Sequence, residues 1–300
     1  MTTEASPARP GPLKTWLMAI RVPTLPAAVV PVLVGSATAL ADGFFRPLVF
    51  VAALVAALLI QIGTNLANDY FDHLKGADTP ERLGPTRVTQ SGLIAPATVR
   101  NAMLFCFSLA ALCGVYLIVI GGWPILLIGL LSIASGILYT GGPFPLGYNG
   151  LGDIFTFIFF GVVAVVGTDY LHSDALRPIA LLVSLPVAML VTAIIVVNNL
   201  RDAPTDRKAG KHTLAVIFGE RFARIEYAVL VIGAYLLLPL IWWWGSASPF
   251  VLLAWLSAPL ALPLLRLVRT AQGRTLNVAL RGTARLHLAF GALLALGLLV

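Results

Sequence analysis

Two groups of carboxylate and carboxamide residues have the types and the spacing that could perform chemistry. The first group ends an apolar run and puts polar side chains at positions 61, 65, 68, 69 and 72, and the second puts them at 198, 201, 202 and 206. Residues three or four apart share one face of a helix. Each group therefore predicts a helix that carries a single polar stripe.

The two stripes share an Asn-x-x-x-Asp element. Asn68 and Asn198 are 130 positions apart, and so are Asp72 and Asp202. A basic connection follows each element, with arginines at 82 and 87 in the first case and lysines at 208 and 211 in the second. A shared spacing of this kind indicates a diverged internal duplication, and it predicts that the two elements meet in the fold.

Two acidic faces that meet repel each other unless cations lie between them. Oxygen ligands select hard ions, and Mg²⁺ completes its shell with water and substrate phosphate. We therefore predict a magnesium-dependent diphosphate site. The alternative, that the acids cap helix ends or lie in solvated loops, suits a single aspartate better than a repeated element. Because Pro204 disfavours helical geometry at Ala203, the sequence leaves open whether Asp206 comes from a helix, a kink or a loop.

The elements that position these residues are membrane-spanning helices. Of 300 residues 59% are apolar and 11% charged, with a mean hydropathy of +0.92, whereas soluble chains carry roughly 25% charged residues. This excludes a water-soluble enzyme and a disordered chain. Because a span needs about 20 apolar residues, we predict an all-α polytopic membrane protein with about nine spans, at 15–41, 48–72, 98–120, 123–141, 150–170, 176–200, 223–244, 249–269 and 285–300.

The basic residues predict the orientation of the chain. Twenty Lys and Arg stand against 13 Asp and Glu, and cytoplasmic loops carry an excess of positive charge. If the N-terminus is cytoplasmic and the C-terminus lies outside, all Lys and Arg residues except Arg46 and Arg177 fall on the cytoplasmic side. We expect a polar tail at 1–14 and one transmembrane domain at 15–300. The partner of the basic residues is then membrane lipid and not nucleic acid, in a bacterial inner membrane.

Three strings carry a resemblance to a known family: NLANDYFDHLKGADTPERLGPTRVTQSGLI, LYTGGPFPLGYNGLGD and NNLRDAPTDRKAGKHTLAVIFG. Over nearly its whole length the chain resembles the UbiA superfamily of intramembrane aromatic prenyltransferases, helical bundles with two aspartate-rich motifs. Within it, the strings look like the 1,4-dihydroxy-2-naphthoate polyprenyltransferases of menaquinone biosynthesis. The resemblance implies transfer of a polyprenyl group from polyprenyl diphosphate to 1,4-dihydroxy-2-naphthoate, with loss of CO₂ and diphosphate, to give demethylmenaquinol.

The resemblance also implies roles for individual residues. Catalytic roles fall on Asp69, Asp72 and Asp202, with Asp69 expected either to remove a phenolic proton or to bind a further metal ion. The expected Mg²⁺ ligands are Asn68, Asp72, Asp202 and Asp206, with Asp78 near the position of a further family aspartate. The expected substrate contacts are Asn65, Lys75, Arg87, Tyr139, Asn198, Asn199, Arg201, Lys208 and Lys211.

Small and aromatic residues of the fifth predicted span are expected to form a groove for the prenyl tail. These are Phe155, Phe159, Gly161 and Gly167. Such residues serve tight helix packing equally well, so the pattern alone leaves both uses open.

Two other functions remain open at this point. An ion-coupled transporter would also combine a repeat with polar residues inside spans, although its site is expected near the bilayer midplane rather than at span ends. A UbiA-type enzyme acting on another aromatic acceptor, such as 4-hydroxybenzoate or homogentisate, would share the aspartate-rich motifs. Loss of CO₂ distinguishes the naphthoate reaction from prenylation that keeps the carboxyl group.

Overall fold

The computed structural model describes residues 10–77, 82–245 and 247–300, which form helices, turns and loops and no strand. Short helical turns at Val22–Thr24, Leu146–Tyr148 and Leu214–Ile217 lie between the longer helices. The longer helices are α1 (Pro12–Ile20), α2 (Pro26–Ala41), α3 (Pro47–Leu74), α4 (Pro96–Leu138), α5 (Gly152–Ser173), α6 (Pro178–Lys208), α7 (Glu220–Gly245), α8 (Pro249–Thr270) and α9 (Gly273–Leu299).

Most of these helices are long and apolar enough to cross a bilayer. Among the described residues seven helices qualify, or eight if α1 and α2, which meet at a bend of 49°, form one broken span. This confirms an all-α multi-pass membrane protein, while the number nine stays a prediction. Residues 1–9 of the predicted polar tail lie outside the described residues, and α1 begins within that tail at Pro12.

Helix α4 reverses direction in its middle. Gly122 has φ 68° and ψ −157°, which is not helical, and a Cβ placed on Gly136 would lie 3.5 Å from the ring of Phe107. In one straight helix these two positions would be about 43 Å apart at 1.5 Å per residue. The two arms of α4 therefore run back along each other, and they correspond to the separate predicted spans 98–120 and 123–141.

Two helices extend beyond the ends of the predicted membrane spans. Helix α9 begins at Gly273 rather than 285, because its arginines face outward while Leu276, Ala279 and Thr283 are buried. Helix α6 continues through Pro204 to Lys208 and so carries Asp206 on its last turns. A proline inside a helix removes one hydrogen bond but does not always end the helix.

The two helices with polar stripes occupy corresponding places. Both α3 and α6 begin at a proline that follows an arginine, Arg46 in one case and Arg177 in the other. Helix α6 is the most buried candidate span and packs against α2, α5, α7 and α9, whereas α3 packs against α4. The polar ends of α3 and α6 are thereby held at the same end of the bundle.

The arginines that precede these two helices form ion pairs at the opposite end of the bundle. Arg177 pairs with Asp169 and Asp42, and Arg46 pairs with Asp174. The Asp169 side chain is fully buried against Arg177. Hydrogen bonding from Arg46 lowers the pKa of the exposed Asp174 carboxyl.

Helix α5 departs from α-helical geometry over Thr156–Val163, where it forms a π-helix. Gly161 in this stretch packs on Ala188 of α6, so closely that a Cβ would overlap the alanine backbone. The prediction that Gly161 lines a groove is therefore wrong, since the residue serves helix packing instead.

We expect Gly161→Ala to lower the stability of the bundle. Overpacking of a close contact costs about 1–3 kcal/mol, which a lowered melting temperature of the purified protein in detergent would report. Gly129→Ala is the matched control, because a Cβ at Gly129 meets nothing within 4 Å. Equal melting temperatures for the two variants would contradict the close packing of α5 on α6.

Candidate active site

The two polar stripes line a single cavity of about 200 Å³. Its lining includes Asn68 and Asp72 from α3 and Asn198, Asp202 and Asp206 from α6. The convergence that the internal duplication predicts is thus present in the fold. Because the stripes end their helices, the cavity lies at one end of the bundle and not at its middle.

Asp72 is the most heavily contacted carboxylate of this cavity. Its side chain is 2% exposed, and it accepts hydrogen bonds from Arg87 Nη2 at 2.8 Å and from the Tyr148 hydroxyl at 2.6 Å. A buried polar group is stabilised when its hydrogen bonds are satisfied. These contacts therefore fix the orientation of the Asp72 carboxylate.

Lys211 links the two acidic motifs. Its Nζ lies 3.5 Å from Asp72 Oδ1 and 3.8 Å from Asp206 Oδ1, so both carboxylates lie within ion-pair distance of one ammonium group. The predicted place of Lys211 beside the second motif is therefore matched by direct contact with the first motif as well.

Tyr148 is a site residue that the sequence reasoning did not single out. Besides its hydroxyl contact with Asp72, its ring carries Lys75 Nζ at 4.9 Å and Lys211 Nζ at 4.4 Å from the centroid. Cations gain energy over an aromatic face. The signal was available in the glycine-rich string LGYNGLGD, where a tyrosine stands in a loop between two spans.

Lys75 lies at the rim of the site, directly after α3. Its Nζ donates to the carbonyl oxygens of Thr140 at 2.8 Å and Gly142 at 3.3 Å. Partial burial lowers the pKa of Lys75, and the nearby charge of Lys211 acts in the same direction while Asp72 opposes it. Lys75 thereby adds positive charge beside the cavity without being one of its lining residues.

Asp202 is held by its neighbour Arg201. The guanidinium donates from Nε at 2.8 Å and from Nη2 at 2.6 Å to the two carboxylate oxygens, and it also donates to Asn198 and Asn277. Arg201 is fully buried and lies outside the cavity lining. Its contacts therefore position Asp202 and Asn198, and they do not support the predicted contact with substrate.

Asp69 faces away from the cavity. Its carboxylate is 2% exposed and accepts the backbone N–H groups of Val88 at 3.2 Å and Thr89 at 3.0 Å. It thereby fixes the loop that carries Arg87, the partner of Asp72. This placement gives no support to the prediction that Asp69 removes a proton from an acceptor.

The carboxamides of the cavity are also oriented by fixed partners. Asn65 donates to the Ile20 carbonyl and to Thr24, and Asn68 accepts from Thr140. Asn199 donates to the buried Asp153 at 3.2 Å. All three asparagines line the cavity, as do Arg87 and Tyr139.

Lys208 is a further predicted site residue that lies outside the cavity lining. It is exposed at the end of α6. Asp78, expected near the position of a further family aspartate, lies outside the described residues.

A second, apolar cavity of about 400 Å³ adjoins the first. The two cavities share Tyr139 and Phe160 among their lining residues. The second runs between α2, α3, α4 and α5, and it includes the predicted groove residues Phe155, Phe159 and Gly167. A polar pocket that continues into an apolar one suits a ligand with a charged head and a hydrocarbon tail.

The donor set of the polar cavity fits a hard cation by its chemistry. Asn68, Asp72, Asp202 and Asp206 offer only oxygen ligands, the type that Mg²⁺ prefers. Across 10–77, 82–245 and 247–300, however, no three His, Cys, Asp or Glu side chains are already grouped as metal ligands. Asp72 and Asp202 instead each have an arginine as their partner.

Comparison with known proteins places these features in a wider group. The model of the UbiA prenyltransferase family matches residues 28–297. The chain is 40% identical to the 1,4-dihydroxy-2-naphthoate octaprenyltransferase of Escherichia coli, over 82% of each chain. It is 36% identical to the enzyme of the same name from Bacillus subtilis, over 92% of this chain and 89% of the relative.

A solved structure shares the fold. The UbiA homologue from Archaeoglobus fulgidus bound to DMAPP and Mg²⁺ superposes with a TM-score of 0.60, covering 93% of this chain and 99% of that chain at 14% identity. At this identity the likeness supports the fold alone.

We expect Asp69→Ala to loosen the loop that carries Arg87. Without the carboxylate, the buried N–H groups of Val88 and Thr89 lose their acceptor, and an unsatisfied buried donor costs about 1–3 kcal/mol. Hydrogen–deuterium exchange of segment 82–94 should therefore quicken. Asp174→Ala, which removes an exposed carboxylate far from this loop, is the control, and unchanged exchange in the Asp69 variant would contradict the capping role.

Proposed function

The chain belongs to the UbiA prenyltransferase family, and from this membership we propose that it transfers a polyprenyl group from polyprenyl diphosphate to 1,4-dihydroxy-2-naphthoate. The products are demethylmenaquinol, CO₂ and diphosphate. The observation that carries the proposal is the acidic and basic cavity that continues into an apolar one. The named relatives from Escherichia coli and Bacillus subtilis support the choice of acceptor.

The donor is proposed to lie across both cavities. Its diphosphate occupies the polar cavity, where Arg87, Lys211 and Tyr148 converge on Asp72. Its hydrocarbon tail occupies the apolar cavity, in which the rings of Phe155 and Phe159 stack at 5.7 Å.

Four oxygen-bearing side chains are proposed to hold Mg²⁺, namely Asn68, Asp72, Asp202 and Asp206. When bound, the ion would neutralise charge on the diphosphate and so favour its departure. The support for a divalent cation is that these four side chains offer only oxygen ligands, which hard cations prefer. Arg201, which also donates to Asn198, holds the Asp202 carboxylate in place through two hydrogen bonds.

The chain's own cations stabilise the leaving group. Breaking the allylic carbon–oxygen bond leaves diphosphate with additional negative charge, and pre-positioned donors in a site shielded from water stabilise such charge best. Arg87 and Lys211 lie in the cavity and Lys75 at its rim. The acceptor ring then attacks the allylic carbon, and CO₂ leaves from the ring carbon that gains the prenyl group.

The acidic end of the bundle is proposed to face the cytoplasm of a bacterial cell, with the N-terminus inside and the C-terminus outside. The support is the distribution of Lys and Arg, since the basic segments after α3, α6 and α8 all lie at this end. The position of the site at the ends of the spans also disfavours a transporter, because the polar residues of a transporter are expected near the midplane of the bilayer.

Loss of a proposed metal ligand should abolish most of the turnover. We expect Asp72→Ala or Asp202→Asn to reduce kcat by about 100-fold or more, the size of effect that follows loss of one key electrostatic group. The assay follows prenyl transfer by purified protein in detergent with Mg²⁺, and Asp174→Asn is the matched control at the other end of the bundle. Wild-type turnover in an Asp72→Ala, Asp202→Asn double variant would refute the assignment.

Loss of the basic side chains should weaken binding of the polyprenyl diphosphate donor. We expect Arg87→Ala and Lys211→Ala to raise the KM for polyprenyl diphosphate by about tenfold, as expected for one charge-assisted hydrogen bond to phosphate. Titration of the donor at saturating acceptor measures this effect. A KM that changes for the acceptor alone would place these residues at the acceptor instead.

The identity of the acceptor is tested by its carboxyl group. Incubation with a polyprenyl diphosphate and isotopically carboxyl-labelled 1,4-dihydroxy-2-naphthoate should release labelled CO₂ in step with diphosphate. 4-Hydroxybenzoate under the same conditions serves as the comparison. Prenylation of that compound with retention of its carboxyl group, and none of the naphthoate, would establish the other acceptor class.

A further inference from the structure

A third cavity of about 530 Å³ lies next to the catalytic cavity. Its described lining comes from segment 82–90 and from the first half of α9. It shares Arg82 and Leu280 with the catalytic cavity. The two cavities therefore adjoin through these two side chains, and a ligand in one is close to a ligand in the other.

Arginine side chains dominate this third cavity. Arg82, Arg274 and Arg281 line it, and its described lining contains no carboxylate. In the described part of the chain, Arg274 and Arg281 form no ion pair, and both are exposed. Arg274 and Arg281 put two like charges on one cavity, and like charges repel each other unless an anion lies between them. We call this site the arginine cavity.

The wall of the arginine cavity is built from residues with fixed positions. Asn277 donates to the Leu83 carbonyl at 2.9 Å and accepts from Arg201 at 2.9 Å, so that α9 is tied to the loop and to α6. A Cβ on Gly84 would lie 2.8 Å from Arg201 Nη2 and 3.3 Å from Arg82 Nη2. The backbone of Gly84 thus packs closely against the guanidinium groups of Arg201 and Arg82.

We propose that the arginine cavity binds a phosphate-type anion. Guanidinium groups bind phosphate oxygens through paired, planar hydrogen bonds, and the cavity offers several of them at the polar end of the bundle. Such an anion has two sources, the diphosphate released by the reaction or the phosphodiester of a lipid headgroup. Only the first source rests on the proposed function.

The location gives the site a use during turnover. An anion that leaves the catalytic cavity past Arg82 enters the arginine cavity directly, since Arg82 lines both. A basic site beside the acidic motifs would draw released diphosphate away from the catalytic cavity and so clear it for the next donor.

The test measures binding of inorganic diphosphate by calorimetry, with full-length protein in detergent. Metal ions are first removed with a chelating resin, because the catalytic carboxylates are proposed to bind diphosphate through Mg²⁺. We expect Arg274→Gln/Arg281→Gln to weaken binding by about tenfold or more, the loss expected for two charge-assisted contacts. Arg266→Gln/Arg269→Gln is the matched control, because it removes two exposed arginines of α8 that line none of the three cavities.

A second arm tests the lipid source. The same three proteins are placed in nanodiscs of phosphatidylcholine alone or with phosphatidylglycerol, and their melting temperatures are compared. Stabilisation by the anionic lipid that is lost only in Arg274→Gln/Arg281→Gln would identify a headgroup as the anion. Arg281→Gln alone replaces the double variant if that variant does not fold.

The two arms distinguish support for the arginine cavity from its refutation. If only the Arg274→Gln/Arg281→Gln variant loses diphosphate binding, the result supports the arginine cavity with diphosphate as its anion. If only that variant loses the lipid effect, the result supports the cavity with a lipid headgroup as its anion. Equal behaviour of that variant and the α8 control in both arms overturns the proposal. Neither arm requires turnover, so a failure of the proposed prenyl transfer would be seen separately, as absence of product in the activity assay.

Discussion

The structure depends on the neutralisation of carboxylates that a membrane bundle holds at its polar end. An ionised carboxylate removed from water is costly unless it is paired and hydrogen-bonded. Asp72 meets this requirement through Arg87, Lys211 and Tyr148, and Asp202 meets it through Arg201. If only one member of a buried ion pair is replaced, the other charge is left unpaired. Each acid and its cationic partner are therefore constrained together.

The connection after α3 owes its conformation to the same requirement. Asp69 holds the backbone of Val88 and Thr89, Asp72 holds Arg87, and Asn277 of α9 holds Leu83. A loop between two membrane helices is in this way tied to two other parts of the bundle. Its basic side chains consequently face defined positions, which a loop held only by its ends would not provide.

Sequence reasoning succeeds here where a feature is set by local pattern. The spacing of three and four in the stripes, the offset of 130 positions between them, and the apolar runs predict which residues share a helix face and which helices cross the membrane. The cavity then contains Asn68, Asp72, Asp202 and Asp206 together, as the duplication predicts. These features require no knowledge of side-chain partners.

The misplaced residues are those whose surroundings come from distant parts of the chain. Asp69 differs from Asp72 by three positions on one helix, yet one binds a loop backbone and the other an arginine and a tyrosine. Tyr148 acquires its importance from Lys75, Lys211 and Asp72, none of which is near it in sequence. The sequence left open whether Asp206 comes from a helix, a kink or a loop, and α6 continues through Pro204 to Lys208.

The π-helical stretch Thr156–Val163 has a consequence for how the apolar cavity can change. A π-turn arises from the insertion of one residue into an α-helix, and here it lies between Phe155 and Ala164, beside the stacked rings of the cavity wall. Removal of one residue from this stretch would restore regular winding and rotate the flanking aromatic rings relative to each other, while both ends of α5 kept their neighbours. The winding of α5 therefore sets the angle at which these rings face the apolar cavity.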